Sequence, residues 1–303
     1  MRRKAIIVGC NGQDGRFLSK YLEDKQYELA LLGKEDLDIT NPYKVRKFVS
    51  EITPNEIYYL AACHHSSEEV RDSDDILLKK SLDIHMVGAI NFLEAITLST
   101  PDARFFYASS SHIFSASNKK INENTLPRPE GIYALTKFSG MLACEYYRQK
   151  RNVFAVCGIL FNHESNLRPA KYLSRKIVIA AAEISQKRSN KLHLGNLDVG
   201  VDWGYAPDYV DAMYRILQVE QPRDYVIATG KKHTVRQFVE IAFSYVGLDY
   251  RDYVTVQPEL LTKNICTRIG SSVKLQQDTG WLPSLSFNEM VTLMIDNELT
   301  KIK

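Results

Sequence analysis

Tyr133 and Lys137 stand four residues apart in a stretch whose apolar spacing predicts a helix, so their side chains share one face. A phenol with an unperturbed pKa of about 10 is a poor base at neutral pH. A nearby ammonium stabilises phenolate, which leads us to expect Lys137 to bring the Tyr133 pKa down. Such a couple takes a proton from a hydroxyl while hydride leaves the same carbon. Ser109, Ser110 and Ser111 follow a strand-like run and offer a small hydroxyl to orient that substrate. Tyr-x-x-x-Lys alone is common on helix surfaces, so its meaning depends on what precedes it.

What precedes it is Gly9, Gly12 and Gly15, set between an apolar run at 5–8 and an amphipathic run carrying Phe17, Leu18, Tyr21 and Leu22. Without Cβ atoms, a strand-to-helix turn lets the backbone approach a pyrophosphate, whose charge is met by the free N–H groups of the helix start. The loop, with Gln13 and Asp14 inside it, predicts a dinucleotide site for NAD or NADP. An acid at the end of the second strand favours NAD by binding the adenosine ribose. Here Gly33 is followed by Lys34, Glu35 and Asp36. Lys34 suits a 2′-phosphate and Glu35 or Asp36 the ribose, while a solvated charged turn is equally consistent, so the choice between NAD and NADP stays open.

The elements that must position these groups alternate. Apolar, β-branched runs at 5–8, 28–32, 56–60, 104–108, 153–159 and 225–228 read as strands. Helical spacing recurs after the glycine loop, around Val45, Phe48 and Val49, over 82–96 and over 133–148. The third strand runs into Leu60, Ala61 and Ala62. Strands alternating with helices predict an α/β fold of Rossmann type, a doubly wound parallel sheet built by right-handed crossovers. Helices are expected over 172–186, 207–217, 235–246 and 287–298, with a small strand at 191–194. We expect residues 1–160, with 196–230 returning to them, to form the dinucleotide-binding domain. Residues 161–195 and 231–303 would form a smaller lobe over the carboxyl ends of the strands, where ligands bind in such folds.

The 303 residues are 45% hydrophobic and 25% charged with a net charge of +3, and there is no basic tail or arginine stripe, so nucleic acid is not an expected partner. The five cysteines are scattered without a Cys-x-x-Cys pair, the pattern of a reducing cytoplasm. No signal peptide and no apolar run of membrane-spanning length is read, so a membrane is not expected either. His64-His65 and His163-Glu164 lack a third ligand at diagnostic spacing, and no metal is expected.

Beyond the glycine loop, in its G-x-x-G-x-x-G form, and the Tyr/Lys couple, further segments carry a family resemblance. These are Leu60-Ala61-Ala62, the run from Gly158 through Asn162-His163-Glu164-Ser165, Arg175-Lys176-Ile177, Leu194 to Asp198, Asp202-Trp203-Gly204 and Ile227 to Gly230. With Gly12-Gln13-Asp14-Gly15 they span nearly the whole chain. The chain resembles the extended short-chain dehydrogenase/reductases that act on nucleotide sugars, and among them the GDP-mannose 4,6-dehydratase branch. The resemblance implies NAD(P)-dependent oxidation at C4 of the sugar, proton removal from C5, loss of water from C6 and return of the hydride to C6. It implies Tyr133 as the base at O4 with Lys137 as its tuner, Ser110 as the hydroxyl at O4 with Ser111 beside it, Asn162 at the substrate pyrophosphate and Lys176 at the nucleotide. It also implies Asp38 and Ile39 at the adenine.

Several positions depart from the family. Its eliminating glutamate is replaced by His112, which can act as a general base near neutral pH or simply fill the space. Its arginine before Asp-Trp-Gly is Val201, which removes a charge-assisted bond of about 1.5–3 kcal/mol. Its arginine-bearing nucleotide loop matches poorly here, leaving Lys263 or Arg268 as substitutes. The segment before Asp38 is short, and of the paired arginines after Asn-His-Glu-Ser only Arg168 remains. Both changes remove tetramer features and leave a homodimer through 82–96 and 133–148. The leading reading is a GDP-sugar-modifying enzyme. Its rivals are a 4-dehydrogenase, 4-keto reductase or epimerase that eliminates no water, and a non-catalytic dinucleotide sensor.

Overall fold

The computed structural model describes residues 2–63, 73–257 and 267–302. Its first half runs β1 (Lys4–Val8), α1 (Gln13–Asp24), β2 (Glu28–Leu32), α2 (Pro42–Ile52), β3 (Glu56–Tyr59), α3 (Asp74–Leu82), a π-helical turn (Asp83–Val87), α4 (Gly88–Ser99), β4 (Arg104–Ser110), a 3-10 turn (Ser111–Ile113), α5 (Ile132–Arg151) and β5 (Phe154–Leu160). The second half runs β6 (Asn162–Glu164), α6 (Leu173–Ser185), β7 (Leu192–Leu194), β8 (Gly200–Val201), β9 (Trp203–Tyr205), α7 (Ala206–Ile216), β10 (Tyr225–Ile227), β11 (His233–Thr234), α8 (Val235–Tyr245), a 3-10 turn (Tyr250–Asp252), β12 (Val254–Val256), α9 (Val273–Thr279) and α10 (Phe287–Ile302).

Six strands form one parallel sheet in the order β10-β5-β4-β3-β1-β2. The interior strands are buried on both faces, which is why their sequences read as continuous apolar runs. Helices α1 and α7 cover one face in a core containing Leu18, Leu22, Tyr209 and Met213. The other face carries α2, α4 and α5 over Val45, Val49, Phe92 and Cys144. Chain direction across the sheet reverses between β1 and β3, and ligand crevices open at such a switch point. No strand lies between β2 and β3, so β2 forms the sheet edge and is half exposed, in keeping with the short segment before Asp38.

A separate core joins α6, α8 and α10 around Ile177, Phe238, Trp203 and Met294. The strands β6, β8, β9 and β11, of two or three residues each, have no periodicity of their own to read; their pairing is set by their neighbours. Helices α3 and α4 with the π turn make one continuous run, Asp74–Ser99, long and apolar enough to cross a membrane by length and composition. That corrects the expectation that no such run exists. Phe92, Leu93 and Ile96 of this run pack into the core beneath the sheet, the behaviour of a core helix.

Candidate active site

At the end of β1, Gly9 adopts φ +92°, and a Cβ there would lie 2.9 Å from the Ala61 amide nitrogen. A Cβ on Gly15 would lie 2.4 Å from the Gly9 carbonyl oxygen, whereas one on Gly12 would meet nothing nearer than 3.4 Å. Two glycines thus allow close packing of α1 and the end of β3, and the third leaves the turn open. Gly12 caps α1 without a side-chain hydrogen bond. The first-turn amides therefore have no side-chain competitor for a pyrophosphate, and the loop fits a dinucleotide.

Asp14 and Gln13 tie α1 to β6. The Asp14 carboxylate oxygens lie 2.9 and 3.0 Å from His163 Nε2, while His163 Nδ1 lies 2.7 Å from the Phe161 carbonyl oxygen. Both ring nitrogens face acceptors, so the ring is satisfied only as imidazolium. Burial works against that charge, but the Asp14 carboxylate outweighs it and holds the His163 pKa above its ordinary value. Burial would likewise raise Asp14, yet His163 keeps it below the usual carboxylate value. Gln13 donates to the His163 carbonyl (3.2 Å) and accepts from the Ser165 hydroxyl (2.7 Å). Gly-Gln-Asp-Gly and Asn-His-Glu-Ser are therefore two halves of one latch.

Gly131, at φ +100°, turns the chain into α5 and sets Tyr133 in its first turn. Tyr133, Lys137, Ser110, His112, Asn162 and Asp14 line one cavity of about 200 Å³, together with Leu60 and Ala62 from the end of β3. Ser110 accepts from the His112 amide (3.2 Å) and hydrogen-bonds the Tyr133 phenol. The exposed His112 ring stands edge-on to Tyr133 at 5.9 Å between centroids. Lys137 is buried and donates from Nζ to the Ala108 carbonyl at 2.8 Å.

The electrostatics differ from expectation. Burial pushes Tyr133 up to about 12, opposed by the Ser110 hydrogen bond and then by Arg168. Burial also pushes Lys137 down to about 7, against a smaller opposing pull from Asp14. The expected lowering of the phenol by the ammonium is not what the site gives: burial dominates at both groups, holding the phenol above and the ammonium below its ordinary value. Arg168, which the sequence suggested only as a remnant of an oligomer contact, is a wall of this cavity. Nothing in its spacing announced this beyond its place four residues after Glu164, which it meets at 3.3 Å.

His85 was also missed. Fully buried in the π turn, it accepts the Cys63 amide at Nε2 (2.9 Å) and bonds Thr136 through Nδ1 (2.8 Å), with its ring edge-on to Tyr133 at 5.5 Å. It links the end of the β3 loop to α5, the helix that carries Tyr133.

Other sequence candidates lie outside the cavity lining. Ser111 is buried at the start of the 3-10 turn. Ala61 packs under Gly9. Lys34 is exposed after β2, and Asp36 accepts the Gly33 amide at 2.6 Å. Asp38 accepts from the Thr40 amide and hydroxyl, and the Ile39 carbonyl accepts from Asn91. Lys176 sits half-buried in the first turns of α6. Arg268 donates from Nε to the Phe114 carbonyl at 2.6 Å, two residues beyond His112. His64, His65 and Lys263 fall outside the described residues. Asp202 explains part of the Asp-Trp-Gly motif: nearly buried, it accepts from the amides of Thr229, Gly230 and Gly270, each at 3.0 Å.

With this geometry in place, comparison with known proteins is informative. The family described as GDP-mannose 4,6 dehydratase matches residues 33–294. GDP-mannose 4,6 dehydratase 2 of Arabidopsis thaliana is 33% identical, covering 100% of this chain and 88% of that protein. The Homo sapiens GDP-mannose 4,6 dehydratase is 31% identical over 97% of this chain and 91% of its own length. Among solved structures, RMD from Pseudomonas aeruginosa complexed with NADPH superposes with a TM-score of 0.87 at 20% identity, covering 99% of each chain. The dTDP-glucose 4,6-dehydratase of Bacillus anthracis in complex with NAD gives 0.82 at 17% identity, covering 99% of this chain and 97% of its own. At those identities the structures establish the shared extended Rossmann-type fold, and the sequence matches establish more: this chain belongs to the GDP-mannose 4,6-dehydratase family.

Proposed function

We propose that the protein is an NAD(P)-dependent enzyme that performs redox chemistry at C4 of the sugar in a GDP-sugar, with Tyr133 exchanging the O4 proton. The observation that carries this reading is the convergence of Tyr133, Ser110 and Lys137 in one cavity beside Asp14 of the phosphate loop. The GDP-sugar class comes from the named relatives. Gly9, Gly12 and Gly15 would hold the dinucleotide, with Leu60 and Ala62 along its edge. When bound, it supplies a hydride acceptor that can also give the hydride back. Ser110 donates to the developing phenolate and orients O4; Tyr133 takes the O4 proton and later returns it. Lys137, anchored on Ala108, fixes the floor beneath the phenol. Asn162, on the same wall, faces the substrate side.

Two outcomes follow for the chemistry after C4 oxidation. Elimination of water needs a base that removes a C5 proton and an acid at the C6 hydroxyl, and His112 is the group at the mouth able to serve both. The second reading, hydride transfer without elimination, is favoured by the exposed imidazole of His112 standing where the family resemblance implies a carboxylate. Incubation with GDP-mannose and mass spectrometry of the products separates them. Loss of one water assigns dehydration, and a change of two hydrogens or none assigns the second reading. Tyr133→Phe that keeps full turnover would sink the assignment of the base in both.

The protein is further proposed to work as a homodimer. Leu135, Leu142 and Tyr146 are about half exposed along one face of α5, and Val87 and Leu98 are exposed on the neighbouring helical run. Leu142→Glu combined with Tyr146→Glu should turn a dimer into a monomer in sedimentation velocity. A wild-type monomer, or a dimer untouched by both changes, ends this part of the reading.

A further inference from the structure

We propose that His85 is a positioning residue for the reaction, a neutral imidazole whose two ring nitrogens lock the chain segment beside the glycine loop to the helix that carries Tyr133. The inference rests on the reading of Tyr133 as the proton-transfer residue and of the glycine loop as the dinucleotide site. It adds a residue that the Tyr/Lys spacing does not encode.

The His85 ring is fully buried, with Nε2 at 2.9 Å from the Cys63 amide nitrogen and Nδ1 at 2.8 Å from the Thr136 hydroxyl. These partners decide where the proton sits. An amide only donates, so Nε2 is the bare nitrogen. The Thr136 hydroxyl has one hydrogen, and it points back to the Ile132 carbonyl at 2.9 Å or the Tyr133 carbonyl at 3.2 Å. Its oxygen is left to accept, so Nδ1 carries the proton. One neutral tautomer satisfies both bonds.

The fold builds a seat for this ring. His85 lies in the π turn Asp83–Val87, and such a turn frees backbone carbonyls from the helical ladder. The Ile84 carbonyl accepts from the Tyr59 hydroxyl, and the His85 carbonyl accepts from the Tyr107 hydroxyl at 2.9 Å. A Cβ on Gly140 would stand 2.3 Å from that same His85 carbonyl oxygen, so glycine is what lets α5 come this close to the turn.

Both ends of the bridge reach the cavity. Leu60 and Ala62 line it beside Tyr133, Ala61 packs under Gly9, and Cys63 closes this stretch. At the other end, Thr136 lies three residues after Tyr133, and the His85 ring stands edge-on to the phenol at 5.5 Å between centroids. Oxidation at C4 sends a hydride to the dinucleotide and the O4 proton to Tyr133, so the two acceptors must keep one spacing. His85 is the side chain that ties the segment along the first acceptor to the helix bearing the second.

Asparagine and glutamine divide the imidazole between them. The amide nitrogen of His85→Asn falls near Nδ1 and can still donate to Thr136, leaving the Cys63 amide without its acceptor. The side-chain oxygen of His85→Gln falls near Nε2 and can still accept from Cys63, leaving Thr136 without its donor. Fluorescence titration with NADPH and with NADH reads dinucleotide affinity, and steady-state turnover of GDP-mannose reads kcat. We expect His85→Asn to weaken the dinucleotide about tenfold and His85→Gln to weaken it less than about twofold. His85→Gln should instead lower kcat about 10- to 100-fold through a displaced Tyr133. Thr136→Val should lower kcat to the same degree, and combining it with His85→Gln should lower it no further, because both remove one bond. Equal dinucleotide affinity in the Asn and Gln variants, or losses that multiply in the double variant, overturns the proposal. Should the His85 variants fail to fold, Thr136→Val keeps the imidazole in place, and full kcat in that variant overturns the proposal by itself. A wild-type enzyme that leaves GDP-mannose unchanged sinks the functional reading instead, and the contrast in dinucleotide affinity then decides the role of His85 alone.

Discussion

Two ends of the same sheet bury tyrosines beside fixed charge, with opposite sign. At the amino end of β3, Glu56 is fully buried and accepts from the hydroxyls of Tyr58 (2.8 Å) and Tyr27 (3.2 Å) and from the Gln218 amide (2.9 Å), while Arg3 meets it at 2.6 Å. Burial first, and then the Glu56 charge, hold both phenols protonated. At the carboxyl end, Tyr133 is half-buried in a cavity, and among its polar neighbours the Ser110 hydroxyl and the Arg168 guanidinium favour phenolate while Tyr172 and Asp14 oppose it. The lower cluster spends its acceptors on permanent donors and can only hold structure together. The upper one leaves its phenol at a cavity, beside donors that offset part of the cost of burial. A buried tyrosine is thus made structural or chemical by the sign of what surrounds it.

Exchange of function for stability at the two ends is the strongest way to break this contrast. Tyr133→Phe should lower kcat by about 10²–10⁴, the usual contribution of a positioned acid–base group. Its stability should fall by only about 0.5–1.5 kcal/mol, the net value of one hydrogen bond. Glu56→Ala should do the reverse, costing about 1–3 kcal/mol for the unpaired hydroxyls and amide with kcat nearly unchanged. Arg3 is 43% exposed, so water reaches it and the loss stays below that of a fully buried pair. Urea denaturation beside steady-state rates reads both. A Glu56→Ala enzyme with normal stability, or one slowed as much as Tyr133→Phe, would erase the distinction.

The same contrast accounts for what the chain revealed before its structure. The parallel sheet was legible because β1, β3, β4 and β5 are buried on both faces and write that burial as unbroken apolar runs. The glycine loop and the Tyr133–Lys137 spacing were legible because close backbone approach and a shared helix face impose residue types at fixed intervals. Arg168 and His85 were not. Their roles depend on contacts with Tyr172 and Glu164, or with Cys63 and Thr136, brought together by tertiary packing. The direction of the Tyr133 shift was misjudged for a related reason: spacing shows that a lysine is near, but not that its Nζ is turned to Ala108 or how much water both groups lose.

Between the two extremes stands the Asp14–His163 pair, a salt bridge in the active site that behaves like structure. His163 has its pKa raised in the folded protein, so its stabilising contribution is complete below the ordinary imidazole value of about 6.5 and is lost as pH rises through the raised one. Asp14 has its pKa lowered, so its contribution is present above the ordinary carboxylate value of about 3.9 and is lost as pH falls through the lowered one. The advantage of wild type over His163→Gln in denaturation midpoint should therefore be largest between about pH 4 and 6.5 and shrink toward pH 9. This is the smallest of the expected effects, because the variant glutamine keeps one donor for Asp14. An advantage that instead grew with pH would mean the ring is neutral in the folded protein. Asp14 would then face Tyr133 without a balancing charge and add to what opposes phenolate there.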